Sequence, residues 1–180
     1  MNATTLRSKA ALACAILLLA FATRVGQCQE KPSLHAPAFS LTTLDGKPLN
    51  SSDYRGQVVL LDFWATWCVP CQTEVPRFVA FQQQFAKQGF RVIGISMDDS
   101  PQPVRKFRAR YKMNYPVALG TIKVAKAFGG VLGLPRTYLI ARDGTIVKQY
   151  DGAADLDAME KDIHRLLETE PLAAPPPPPR

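Results

Sequence analysis

A chain of 180 residues is long enough for one domain with a proper core and some chain to spare. Its 22 Lys and Arg against 15 Asp and Glu give a formal charge of +7, a modest surplus. No nucleic-acid-binding motif accompanies that surplus, so nucleic acid is not expected among its partners. The first 22 residues read as a secretory signal peptide. Arg7 and Lys9 charge the leading segment without an acid, an apolar run of thirteen residues spans Ala10 to Ala22, and Ala20-Phe21-Ala22 offers a small-x-small cleavage pattern. The run is short for a membrane-crossing helix, with retention as an uncleaved anchor the alternative reading. Cleavage would leave 20 basic against 15 acidic residues. Export would place the remainder where disulfides persist, a compartment foreign to nucleic acid.

Residues 23–33 read as a linker. Cys14 leaves with the leader, and Cys28 stands alone: Val25-Gly26-Gln27 lacks the small residue that lipid attachment wants immediately ahead of the cysteine. A lone exported thiol of this kind is able to pair between chains. The patterned domain runs from 34 to 170. Ala38–Thr42 and the residues after Asp45-Gly46 read as two short strands joined by an Asp-Gly turn. Val58–Trp64 hardly alternates between apolar and polar, which marks a strand buried on both faces.

After a short turn, Cys68-Val69-Pro70-Cys71 opens a helix with Phe78, Phe81 and Phe85 at helical spacing, running to about Lys87 and stopped by Gly89. Arg91–Met97 is the next buried strand, and strand–helix–strand implies a parallel pair. A helix over about Pro103–Lys112 interleaves Val104, Phe107 and Tyr111 with Arg105, Lys106, Arg108, Arg110 and Lys112. That is an amphipathic helix with a solvated basic face, or else a docking patch for an acidic partner or an anionic membrane. Pro116–Leu119 follows as a short strand and Thr121–Phe128 as a helix closed by Gly129-Gly130. A strand after Pro135 runs through Ala141, turns at Asp143-Gly144 and pairs with Thr145–Tyr150. Leu156, Met159, Ile163 and Leu166 stripe a last helix, and residues 171–180 form a Pro-rich tail expected to be disordered.

The chemistry concentrates at the cysteine pair. A sulfur at the start of a helix faces unpaired backbone N–H groups and the positive end of the helix dipole. Such a site lowers a thiol pKa from about 8.5 to between roughly 3.5 and 7.5, so Cys68 is expected to be largely thiolate, the form that attacks disulfides. Cys71, one turn further in, is placed to close a ring with it. A zinc site would need a second ligand pair, and His35 and His164 stand in no ligand spacing, so no metal is expected. A structural staple would avoid so short and reducible a bridge. The expected cycle has Cys68 attacking a client disulfide and Cys71 then displacing the client from Cys68. Asp62, a carboxylate within an apolar strand, should be pushed toward its neutral form by burial and suits the acceptor of the Cys71 proton. Glu74 either shares that task or is an ordinary first-turn helix acid. Trp64 and Trp67 either shield the site or only pack.

Trp67-Cys68-Val69-Pro70-Cys71 resembles the active-site motif of the thioredoxin superfamily. With Gln72 and Glu74 after it, the motif is most similar to that of the TlpA/ResA-type thiol–disulfide oxidoreductases. Asp62 matches the family's buried aspartate and Pro76 the proline in its first helix; the likeness spans about Ala36 to Leu167. It implies an α/β, thioredoxin-like three-layer sandwich with a central mixed sheet, an N-terminal β-hairpin and an αβ insertion at about 98–119. Taken by itself, a proline opening a strand reads as edge punctuation, but Gly133-Leu134-Pro135-Arg136-Thr137 matches the family's cis-proline segment. In the family, the cis bond exposes the backbone of Leu134 to an extended substrate, which implies Trp67, Pro70, Leu134 and Pro135 as substrate-binding residues.

The resemblance also implies a reductant of client disulfides in an oxidising compartment, for example in cytochrome c maturation. It would carry no cofactor of its own and would be recharged by a membrane thiol carrier; the motif leaves the oxidase direction open. Two other classes share the fold. A thiol peroxidase would want a threonine three residues before its cysteine, where Ala65 stands, and a copper-delivery module would want a wider cysteine spacing and a distal histidine.

Overall fold

A computed structural model describes residues 34–169. Strand β3 (Val58–Trp64) is buried along its whole length, as its unbroken apolar run requires, and the rest is layered on it. β4 (Phe90–Ser96) pairs with it in parallel and β6 (Arg136–Ile140) antiparallel. β5 (Val117–Leu119) extends the sheet beyond β4 and β7 (Ile146–Asp151) beyond β6, in the order β5-β4-β3-β6-β7. The sheet is therefore mixed. β1 (Ser40–Thr42) and β2 (Pro48–Asn50) form the separate antiparallel hairpin. Its turn reaches β5, with Leu44 N–H donating to the Val117 carbonyl.

Alternate residues of β3 point to opposite layers, as strand geometry demands. Val58, Leu60 and Trp64 pack against helix α1 (Val69–Phe85), helix α2 (Pro101–Arg110) and helix α4 (Leu156–Thr169). Val59, Leu61 and Phe63 pack against helix α3 (Ile122–Ala127), Phe128 and the hairpin residues Leu41 and Leu49. Phe78, Phe81 and Phe85 of α1 are essentially fully buried, and each such ring contributes about 1.5–3 kcal/mol of transfer free energy. The basic helix α2 turns Val104 and Phe107 inward and leaves Arg105, Lys106 and Arg110 exposed, while Arg108 clasps Asp45 of the hairpin turn.

The layers and the element order are those read from the sequence. Differences are confined to ends. β4 and β7 are displaced by about one residue, because an apolar run marks burial and not hydrogen-bond register. α1 stops at Phe85 and tightens into a 3-10 turn over Ala86–Gln88, ending on Gly89 with φ of 79°, the left-handed conformation a glycine adopts freely. In α4 the inward stripe is Met159, Ile163 and Leu167, with Leu166 half-buried beside it, since the four-residue step from Ile163 falls on Leu167. The proposed leader, linker, Cys28 and the Pro-rich tail lie outside the described residues.

Candidate active site

The cysteines sit at the C-terminal end of β3, where the chain turns from strand into α1. Cys68 is the N-cap of α1, with extended backbone angles, and Pro70 stands in the first turn, where a missing N–H costs nothing. The Cys71 backbone N–H points at the Cys68 sulfur, 3.3 Å away. The two sulfurs are joined as a disulfide. Cys68 is 5 % exposed and Cys71 1 %, so a partner can meet the first sulfur more readily than the second.

The turn ahead of Cys68 is clasped from three sides. Asp98, just past β4, accepts the Thr66 N–H at 2.9 Å, the Thr66 hydroxyl and the Ser96 hydroxyl at 2.7 Å. Gln72 of α1 donates to the Thr66 carbonyl at 2.8 Å, and Met97 N–H donates to the Trp64 carbonyl. Thr66 thus spends its hydroxyl on Asp98. The sequence offered Gln72 only as a motif match and gave no part to Thr66 or Asp98, whose partnership across 32 residues leaves no local signal.

Beneath the disulfide lies a buried polar floor. Asp62 is on the β3 face that meets α1, and the hydroxyl of Thr137, directly across on β6, donates to its Oδ1 at 2.9 Å. Burial pushes the Asp62 carboxyl up to about 8; the Thr137 hydrogen bond opposes the rise and the neighbouring Glu74 adds to it. Glu74 is itself buried, contrary to an ordinary first-turn acid. Its pKa is raised by desolvation and partly held down by the Ala154 N–H, which donates to Oε1 at 2.9 Å.

Glu74 Oε2, Trp64 Nε1 and the Tyr115 hydroxyl are buried without a hydrogen-bond partner among the described residues. Tyr115 lies within electrostatic reach of Asp62. Gly94 faces Asp62 from β4, and a Cβ there would stand 3.0 Å from Trp64 Nε1 and 3.4 Å from the Tyr115 ring, so the close approach of these rings needs a glycine.

Around the mouth, Trp67 and Val69 are exposed while Trp64 is fully enclosed, its ring 4.9 Å from that of Phe107. The two tryptophans therefore divide: Trp64 is core, Trp67 surface. The peptide bond Leu134–Pro135 is cis, at the start of β6 and at the cysteine end of the sheet. Pro135 is buried and Leu134 half-buried, contacting both apolar cores. The Pro135 carbonyl accepts the Gly152 N–H, which ties this segment to the loop that also reaches Glu74. Asp62 and Glu74 thus lie within reach of each other on the face of the sheet that carries Cys68 and Cys71, with Trp67, Pro70, Leu134 and Pro135 at the same end.

This fold and this cysteine pair define a thioredoxin-fold thiol–disulfide oxidoreductase. The chain belongs to the AhpC/TSA family, whose pattern matches residues 32–149. It is 36% identical over 132 residues to the thiol-disulfide oxidoreductase ResA of Bacillus subtilis, covering 73% of each chain. To the ResA of Bacillus thuringiensis subsp. konkukian it is 30% identical over 132 residues, 73% of this chain and 76% of that one. Among solved structures, a thiol:disulfide interchange protein of the thioredoxin family from Chlorobium tepidum superposes with a TM-score of 0.72. It is 29% identical, and the match covers 77% of this chain and 99% of that chain.

Proposed function

We propose that the protein is an exported reductant of client disulfides, working through a dithiol–disulfide cycle of Cys68 and Cys71. The observation that carries this reading is the Cys68 sulfur at the N-cap of α1, with the Cys71 amide aimed at it and a buried carboxyl below. In the reduced protein, those amides and the helix dipole favour the Cys68 thiolate. The thiolate attacks one client sulfur; the bond to Cys68 forms as the client S–S bond breaks, and the departing client sulfur takes a proton. Cys71 then gives its proton to the Asp62 carboxylate and attacks Cys68, forming the internal disulfide and releasing the second client thiol. Two electrons have passed to the client. Glu74 shares the proton traffic, since it is buried beside Asp62 and its charge bears on the Asp62 pKa.

Trp67, Pro70, Leu134 and Pro135 line the approach along which an extended client segment lies. Export follows from the charged start, apolar run and Ala20-Phe21-Ala22 of residues 1–22. The spent disulfide would be returned to dithiol by a membrane thiol carrier, and cytochrome c maturation is a fitting setting. The test is to replace Cys71 by Ser and look for covalent client adducts on Cys68 in the native host. Adducts with cysteine-bearing exported proteins are expected. Their absence, together with no disulfide reduction by the unmodified protein, would contradict the reading.

A further inference from the structure

The charges of this chain are sorted along it. Residues 100–142 contain nine Lys and Arg and no Asp or Glu, whereas residues 143–169 contain seven Asp and Glu against three Lys and Arg. The basic segment forms α2, β5, α3 and β6; the acidic one forms β7 and α4. Arg108 and Arg136 are matched to Asp45 and Asp151. Lys123 and Lys126 on α3 are exposed and pair with no acid among the described residues.

The sheet register places the start of α3 at the cysteine end of the sheet. Trp64, Ser96 and Leu119 stand in one row across β3, β4 and β5, so the chain enters α3 at the end where β3 delivers Cys68. Phe63 is opposite Arg136, which brings the loop before Pro135 to the same end. Two large apolar side chains are left in water there: Ile122 at 75% exposure and Leu132 at 94%. With Trp67 and Val69, also exposed, they stand at the end of the sheet that carries the disulfide, and Lys123 and Lys126 follow on α3. An apolar centre with a charged rim is the anatomy of a protein interface. Lone exposed leucines need no explanation, but large apolar residues gathered at a reactive site do.

We propose that this surface docks an acidic client segment, one that carries its disulfide beside an apolar residue and has carboxylates flanking it. The apolar residue seats among Trp67, Ile122 and Leu132, and the carboxylates meet Lys123 and Lys126. The run of basic residues over 100–142 steers the encounter, so the gain is mainly in association rate. This rests on the reductase reading and names the class of client that the same site takes.

The test uses the full chain, chemically reduced, with two disulfide peptides of equal length and equal apolar content, one flanked by Asp and Glu and the other by Lys. At low salt, the acidic peptide is expected to be reduced about tenfold faster, with the difference vanishing near about 1 M salt, where screening acts within about 3 Å. The double variant Lys123→Glu, Lys126→Glu is expected to remove or invert that preference while reducing uncharged hydroxyethyl disulfide at the unaltered rate. Equal rates for the two peptides, or a preference that survives the charge reversal, would overturn the docking proposal. Binding of the unaltered chain, but not the variant, to phosphatidylglycerol vesicles without any peptide preference would assign the surface to a membrane and overturn it too. Failure to reduce hydroxyethyl disulfide would instead overturn the reductase reading beneath it.

Discussion

The mouth and the floor of the active site are built on opposite terms. At the mouth, Cys68 is met by backbone, through its N-cap position and the Cys71 amide, on a turn that the side chains of Asp98 and Gln72 hold in place. On the floor, Asp62, Glu74 and Tyr115 are buried side chains, with two of their oxygens lacking partners among the described residues. Backbone amides hold their polarity at any pH, so the mouth favours one charge state throughout. A buried carboxyl changes state with pH and with its neighbours, which suits the floor to moving a proton. In the proposed cycle the difference separates attack from release: the mouth governs how readily Cys68 attacks, and the floor how fast Cys71 finishes.

The sharpest way to split the two regions is Cys71→Ser. It leaves the mouth its nucleophile and removes the second step, so turnover should fall to background while the mixed disulfide on Cys68 accumulates, as non-reducing electrophoresis would reveal. Rapid turnover without an adduct would break the division. Next in size is Asp62→Asn. Removing a general base commonly costs about 10²–10⁴-fold; here the loss belongs to the release step alone, read by stopped-flow after rapid mixing with client. In the unaltered protein that step should quicken as pH rises through about 8, where Asp62 loses its proton, and in the variant this limb should vanish.

The same residue leaves a mark on stability. Asp62 has a folded pKa of about 8 against an ordinary 3.8, so between those values the folded state binds more protons than the unfolded. Stability from this group is therefore full below about pH 4 and is lost as pH rises through about 8. Denaturant unfolding of the oxidised protein should record that fall as on the order of a few kcal/mol, and Asp62→Asn should flatten it. Glu74, also raised, would leave a residual slope of the same sign. A profile rising with pH across this window would refute the buried-floor account.

Smaller effects belong to the clasp. Asp98→Ala strands the Thr66 N–H and two hydroxyls and should cost about 1–3 kcal/mol, measured by urea unfolding, with slower attack by Cys68 and an unchanged release step. An equal slowing of both steps would mean that the clasp serves the floor as well.

What the sequence made legible was local. The buried strand, the cysteines at a helix start and the misfit of Asp62 in an apolar run are all visible within twenty residues. The apolar stripe of α1 and the Gly89 stop follow from helical spacing and one glycine. The rest depends on pairings that only the folded sheet creates. Thr137 lies 75 residues from Asp62, Ala154 80 from Glu74, and Asp98 32 from Thr66. Thr137 stood within the segment matched to the family, yet its hydroxyl gained meaning only from the β3–β6 register. Burial sets Glu74 apart from an ordinary first-turn acid, and Trp64 and Trp67 looked alike until one was enclosed and the other left in water.

The most direct measurement is the acidity of the Cys68 thiol in the fully reduced chain, followed by the rate of alkylation against pH with Cys71 replaced by Ser. The account predicts an inflection well below the ordinary cysteine value of about 8.5. An inflection at that ordinary value would show that the helix start does not hold the sulfur as an anion, and would contradict the mechanism at its first step.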